Sequence, residues 1–257
     1  MVFDAYVDDS KDRHAETVVV SGIFIGEPKA WVSLRTKWKK RLEKEGMRYF
    51  KAAEYYGLRG EFQRFQSEAN YPRPLGREAA KVIFDDLEQI ISHTEIASLG
   101  VVIPVQDFTE VMTDPRVVGR LPNNAYSLAL NLCFYQTVQE LNKNPGSHVV
   151  RFIHDGDDRF PLYRQVYDNF KTVNPKTAKQ MCGFASADDQ KSPPLQAADL
   201  AANVTCNFAK EWLEQNRTAV SLKRLEHSML RICVGSKEFL FDFLDDICAK
   251  HSKKQSE

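Results

Sequence analysis

VFDAYVDDSKDRHAETVVVSGIFI, from Val2 to Ile25, decides how the rest of the chain is read. Phe3 to Asp8 reads as a strand, and Thr17 to Ile25 (TVVVSGIFI) reads as a second one rich in β-branched residues. Asp9 to Glu16 is polar and connects them as a hairpin loop that holds His14. A hairpin at the start, followed by strands that alternate with helices, implies an α/β fold: a mixed sheet flanked by helices. In such sheets ligands collect at the carboxyl ends of parallel strands. The strand after Ser147 ends in Asp155, so a carboxylate lies where function usually does.

Outward from the hairpin, WVSLRTKWKKRLEKEG places Trp31, Leu34, Trp38 and Leu42 on one helical stripe and stops at Gly46. RYFKAAEYY reads as a short strand, and GLRGEFQRFQSEANYPRPLGR as a loop punctuated by Gly and Pro. Ala79–His93 is expected to be an amphipathic helix, Ile96–Pro104 a buried strand and Ser127–Leu141 a helix. Val149–His154 reads as a strand running into Asp155, Asp157 and Asp158. Leu162–Val173 reads as a helix, Lys179–Ala187 as the last strand, and the tail from Ala219 as two more helices.

Net charge is zero, with 35 basic and 35 acidic residues, so there is no global pull toward nucleic acid. The spread is uneven. Arg35 to Arg77 holds twelve Lys or Arg against five Asp or Glu, interleaved with Trp38, Tyr49, Phe50, Tyr55, Tyr56, Phe62, Phe65 and Tyr71. Cations among aromatics suit a nucleic-acid backbone with stacked bases, although a solvated helix face over ordinary core aromatics gives the same pattern. The five cysteines form no CxxC pair, which argues against a zinc cluster and for a reducing compartment. The start, MVFDAYVDDS, lacks a signal-peptide pattern, and no run of apolar residues is long enough for a membrane span. A cytoplasmic protein is expected.

Three carboxylates fall where hydrophobic pattern predicts burial. Asp8 closes the first strand and Asp155 closes VVRFIHD. Asp199 interrupts SPPLQAADLAANV, a helix opened by Ser192, Pro193 and Pro194. Gln196, Asp199 and Asn203 share one face of that helix. Asp8, Asp9 and the acids after His154 also suit turns. Isolated buried carboxylates are costly unless paired, protonated or bound to a cation. Oxygen-only ligation by a converging set favours Mg²⁺ or Mn²⁺. His154 precedes Asp155 on a strand, so alternation turns it to the other face, where it is expected to be packed.

YVDDS, YFKAAEYYGLRGEFQRF, FIHDGDD and ADDQKSPPLQAADLAAN resemble, in order, the signature segments of the domain of unknown function 3800 family. Those segments run from a first strand ending in (Y/F)-x-D-E-S-G to a final D-x-K-x-x-x-LQ-x-AD-x-x-A, and the resemblance covers about Val2 to Phe208. It implies an RNase H-like domain over residues 1–215, with 216–257 as a C-terminal helical extension. It also implies acidic residues placed like those of metal-dependent nucleases. Asp8, Asp155 and Asp199 match the family's acids, and Asp189 and Lys191 match the acid and lysine ahead of the helix. Two departures stand out: D-E-S-G is Asp8-Asp9-Ser10-Lys11 here, and the second segment's F-H is Phe50-Lys51.

The expectation is therefore a Mg²⁺- or Mn²⁺-dependent phosphodiesterase or nuclease on RNA or DNA. Asp8, Asp155 and Asp199 would be catalytic and metal-ligating, and Glu54 a further ligand. Asp9, Ser10, Lys51, Asp189, Lys191, Gln196 and Asn203 would support the metal or contact substrate. A non-catalytic binding or regulatory module of the same fold is the competing reading, and hydrolysis of a small nucleotide a third. The tail after Ala219 would either cover the site or make a homodimer contact.

Overall fold

The structure, a computed structural model, describes residues 1–11, 17–66, 70, 72–117, 121–143, 147–215 and 230–241. The opening stretch forms an antiparallel pair, β1 (Val2–Lys11) and β2 (Val18–Gly26), in which Asp8 lies opposite Gly22. The loop at 12–16, with His14, lies outside the described residues. β3 (Ile96–Pro104) adds antiparallel to β2, while β4 (Val149–Asp155) adds parallel to β1 on its other side. β5 (Met181–Ala187) pairs parallel with β4, and β6 (Leu230–Val234) pairs parallel with β3. The result is a six-stranded mixed sheet in the order β5-β4-β1-β2-β3-β6. Parallel neighbours need long crossovers, and helices supply them.

Strand alternation sorts the core into two layers. Ala5, Val7, Ile23 and Phe152 pack against α5 (Ala125–Asn142) and α6 (Phe160–Val173) on one face. Tyr6, Phe24 and Ile153 pack against α1 (Pro28–Lys44), α3 (Arg73–Ser92) and α8 (Pro193–Glu214) on the other. The stripe on α1 is buried as its spacing requires, and Gly46 ends the helix with a φ of 64°. α8 sits unusually low on the sheet. A Cβ at Gly22 would come within 3.0 Å of Ala202, and one at Gly100 within 2.9 Å of Thr205.

Five segments depart from expectation. Residues 9–11, expected to start the hairpin loop, extend β1, and Gly60–Gln66, expected as loop, forms a short 3₁₀ helix. RYFKAAEYY is not a strand: Ala52–Gly57 forms α2, because two alanines and a glutamate favour helix and a distant carboxylate caps its first amide. α3 begins at Arg73, six residues before Ala79, since Pro74 suits a first helical turn. The helical tail is corrected at Leu230–Val234, which is strand β6; its state is set by pairing with β3, which no local pattern reveals. Two segments carried no sequence expectation: α4 (Val105–Met112) follows β3, and α7 (Pro175–Ala178) follows α6. The rest of the tail, 216–229 and 242–257, lies outside the described residues. Among the described residues no helix is long and apolar enough to cross a membrane, and Cys133, Cys182, Cys206 and Cys233 are free thiols.

Candidate functional site

Asp8 shares a β1 face with Tyr6, the face covered by α8, and is half-buried. Its Oδ1 accepts a hydrogen bond from the Asp9 amide at 2.8 Å. Burial pushes its carboxyl well above the usual range; the charge of Asp199 is the next cause, followed by those of Asp9 and Asp155. Asp199 projects from α8 toward the same place. Its Oδ2 accepts from the Ala52 amide at 2.7 Å, the first amide of α2, whose own N-cap residue Lys51 offers no side-chain acceptor. A carboxylate at a helix start is favoured by the unpaired amides there. Burial nevertheless raises Asp199 from 3.8 to about 6, against the pull of that amide and of Lys51.

Asp155 ends β4 on the same sheet face, with Ile153 before it in the layer under α8. Burial raises its carboxyl, the charge of Asp189 adds to this, and Lys51 offsets part of it. Lys51 is the cation of the cluster. Its Nζ lies 2.7 Å from Asp189 Oδ2, and the pair is partly exposed. Burial works against its charge, but Asp189, Asp155 and Asp199 together hold its ammonium above the ordinary lysine range. Three aspartates, from β4, α8 and the turn before α8, thus act on one ammonium, and Asp8 of β1 adds a fourth acid that feels Asp199 and Asp155.

Gln196 joins the elements that carry these groups. Its Oε1 accepts from Trp38 Nε1 at 2.8 Å and from the Phe50 amide at 3.1 Å. Its Nε2 donates to the Asp189 carbonyl at 2.8 Å and to that of Gln190 at 3.2 Å. One buried amide on α8 therefore fixes α1, the backbone beside Lys51, and the backbone of Asp189.

Other expected site residues lie elsewhere. Glu54 is engaged locally: Oε1 accepts from the Tyr49 hydroxyl at 3.0 Å and Oε2 from the Glu61 amide at 2.9 Å. Gly60 makes room for it, since a Cβ there would meet Oε2 at 2.0 Å. Lys191 is exposed and pairs with Asp188 at 2.8 Å. Asn203 sits one turn beyond Asp199 and accepts from Asn207 at 3.2 Å. Ser10 lies on β1 opposite Val20, past the cluster. Asp9, next to Asp8, turns to the α5/α6 face.

That opposite face carries a polar group that motif reading overlooked. Asp9 faces Arg159, Nη2 to Oδ1 at 3.4 Å, and Arg159 also grips Asp157 at 2.7 Å. His154 is 1% exposed. Its Nδ1 reaches the Asp155 carbonyl at 3.0 Å and its Nε2 the Tyr126 hydroxyl at 2.6 Å. A carbonyl only accepts, so Nδ1 carries the hydrogen and Nε2 accepts from Tyr126. Burial keeps this histidine below its usual value, hence neutral. Alternation along β4 predicted its face; its partner on α5 comes from tertiary packing alone.

Of the interleaved segment, Trp38, Tyr49, Phe50, Tyr55, Phe62 and Phe65 are buried in the α1/α3/α8 layer or beside it. Lys37, Lys39, Lys40 and Lys44 line the exposed side of α1. The cations are therefore free to face a partner while those aromatics serve the core.

Among the described residues, no three His, Cys, Asp or Glu side chains are gathered tightly enough to hold an ion by themselves. What the cluster offers is Asp8 and Asp199, whose charges act on each other, with Asp155 acting on Asp8 as well. Such a donor set suits Mg²⁺, which commonly takes one or two carboxylates and completes its shell with water and a phosphate. No family model and no curated protein matches this chain.

Proposed function

We propose that the chain is a Mg²⁺- or Mn²⁺-dependent phosphodiesterase that cleaves RNA or DNA. The observation that carries this reading is the Asp8–Asp199 pair: two carboxylates from distant segments share a desolvated position, and each is raised by burial. Folding two like charges together is unfavourable, and a divalent cation relieves it. The four signature-like segments add a second, independent line of support, since the family they resemble implies an RNase H-like sheet. The open mixed sheet, with acids at the carboxyl ends of β1 and β4 and on the helix after β5, agrees with that implication.

In this reading Asp8 and Asp199 would hold the ion. When bound, the ion would acidify a water and stabilise the leaving oxygen. The chain's own residues do the rest. The amide of Ala52 fixes one oxygen of Asp199, and Gln196 locks the backbone on either side of the cluster. Lys51 presents a positive charge to the phosphate. The lysines of α1 flank the same sheet face and attract the polyanion, an attraction that weakens with salt.

One observation favours the non-catalytic alternative: the cluster already contains a cation in Lys51. The two readings separate on Asp199→Asn. Asparagine still accepts from Ala52, so the variant folds with an unchanged circular dichroism spectrum. Mn²⁺-dependent cleavage of end-labelled RNA and DNA oligonucleotides should fall by more than the roughly 100-fold that outer partners of a metal site cost. Undiminished cleavage removes Asp199 from the mechanism. Absence of cleavage by the wild-type chain on both polymers favours the binding module.

A further inference from the structure

We propose that Lys51 is a built-in counter-ion that a divalent cation must displace from the carboxylate cluster, so that the site switches between a lysine-closed and a metal-loaded state. This rests on the metal-dependent reading above and adds to it a competition between two cations.

The geometry carries the argument in three steps. First, the backbone around Lys51 is pinned on both sides. The Phe50 amide is held by Gln196 at 3.1 Å and the Ala52 amide by Asp199 at 2.7 Å, and both acceptors stand on α8. The lysine stem therefore starts at a fixed point beside the acids, and only its side chain is left to move. Second, among the described residues the ammonium has a single close partner, Asp189 at 2.7 Å, and otherwise feels Asp155 and Asp199 at longer range. One contact holds it, on an aspartate whose charge also acts on Asp199. Third, the side chain is 40% exposed, so a path to solvent is open without any backbone change.

An ammonium in that position does what a divalent ion would do, but incompletely. A single positive charge cannot balance Asp155, Asp189 and Asp199 together, and Asp8 stands beside them as a fourth acid. A divalent ion carries twice the charge and would repel the ammonium at close range. Lys51 would then swing outward, with its four-carbon stem long enough to keep the charge near an incoming phosphate. The same residue thus keeps the metal-free fold from accumulating unbalanced acid, and is released toward substrate when metal enters.

The test compares wild type, Lys51→Met and Lys51→Arg, titrated with Mn²⁺ and read by thermal melting. Without metal, Lys51→Met should melt below wild type and Lys51→Arg near it. With Mn²⁺, Lys51→Met should reach half of its stabilisation at roughly tenfold lower ion concentration than wild type, a factor that corresponds to about 1.4 kcal/mol. Equal midpoints in all three overturn the competition while leaving the metal site standing. No response to Mn²⁺ in any of them overturns the displacement and the metal-dependent reading together. A second measurement uses wild type alone, so it stands even if Lys51→Met fails to fold. Amine-reactive labelling of Lys51, read by mass spectrometry against the exposed Lys44, should rise several-fold on adding Mn²⁺. Unchanged labelling of Lys51 in protein that binds Mn²⁺ overturns the proposal.

Discussion

Asp8 and Asp9 are neighbours on one strand and end in opposite environments. Asp8 faces α8, where it feels Asp199 and Asp155, and those two acids share the charge of Lys51. Asp9 faces α6, where Arg159 answers it and neutral His154 and Tyr126 close the space between strand and helix. Around Asp8 acid is gathered with little base, although Arg151 answers Asp4 further along the same face, while Asp9 is balanced by an arginine. A carboxylate in a balanced setting serves the fold. One held in an unbalanced setting, at a cost in stability, marks a place where something else is meant to bind.

The sharpest way to break this contrast is to neutralise the two neighbours separately. Asp8→Asn should reduce Mn²⁺-dependent cleavage more than about 100-fold, whereas Asp9→Asn should stay within about tenfold. Equal losses measured under single-turnover conditions would abolish the distinction between the faces.

A smaller effect, of opposite sign on the two faces, concerns pH in metal-free buffer. Asp199 has its carboxyl raised from 3.8 to about 6, so the folded chain holds a proton that the unfolded chain has lost. Its contribution to stability therefore falls as pH rises from about 4 to about 6. His154 is held below its ordinary 6.5, so its contribution falls instead as pH drops below that value. Urea unfolding across pH 4 to 8 should show Asp199→Asn gaining on wild type by on the order of 1–2 kcal/mol as pH rises. In His154→Gln, the loss on the acid side of pH 6.5 should shrink.

The smallest effect isolates the balanced face. Tyr126→Phe removes the donor to His154 Nε2 and should cost about 1–2 kcal/mol in urea unfolding. Cleavage should change less than about threefold, because neither group touches the acids on the α8 side. A large loss of cleavage would tie the two faces together through the Asp155 carbonyl that His154 contacts.

The site was legible in the sequence to the extent that periodicity governs it. Strand alternation places His154 and Asp155 on opposite faces, and helical spacing gives Gln196, Asp199 and Asn203 one face. Both rules depend only on chain geometry. That Asp8 shares the face of Asp155 comes from the register of β1 against β4. What periodicity does not carry is the identity of partners. Lys51 reads as part of a strand in RYFKAAEYY, since its aromatic neighbours favour β structure. It becomes a helix start because Asp199, 147 residues later, accepts from Ala52. Glu54 looks equivalent to the other acids in type and segment, yet the local turn through Gly60 claims both of its oxygens. Leu230–Val234 fails for the same reason in reverse: five residues carry too little pattern, and β3 supplies their conformation.

Gly22 stands directly across from Asp8, and its missing side chain is what lets α8 settle to the depth at which Ala202 touches the strand. That contact works as a spacer gauge beneath a lever arm: one methyl inserted there would lift the helix and swing Asp199 away from its opposite number. The separation of the two acids is therefore adjustable by a change that alters no charge.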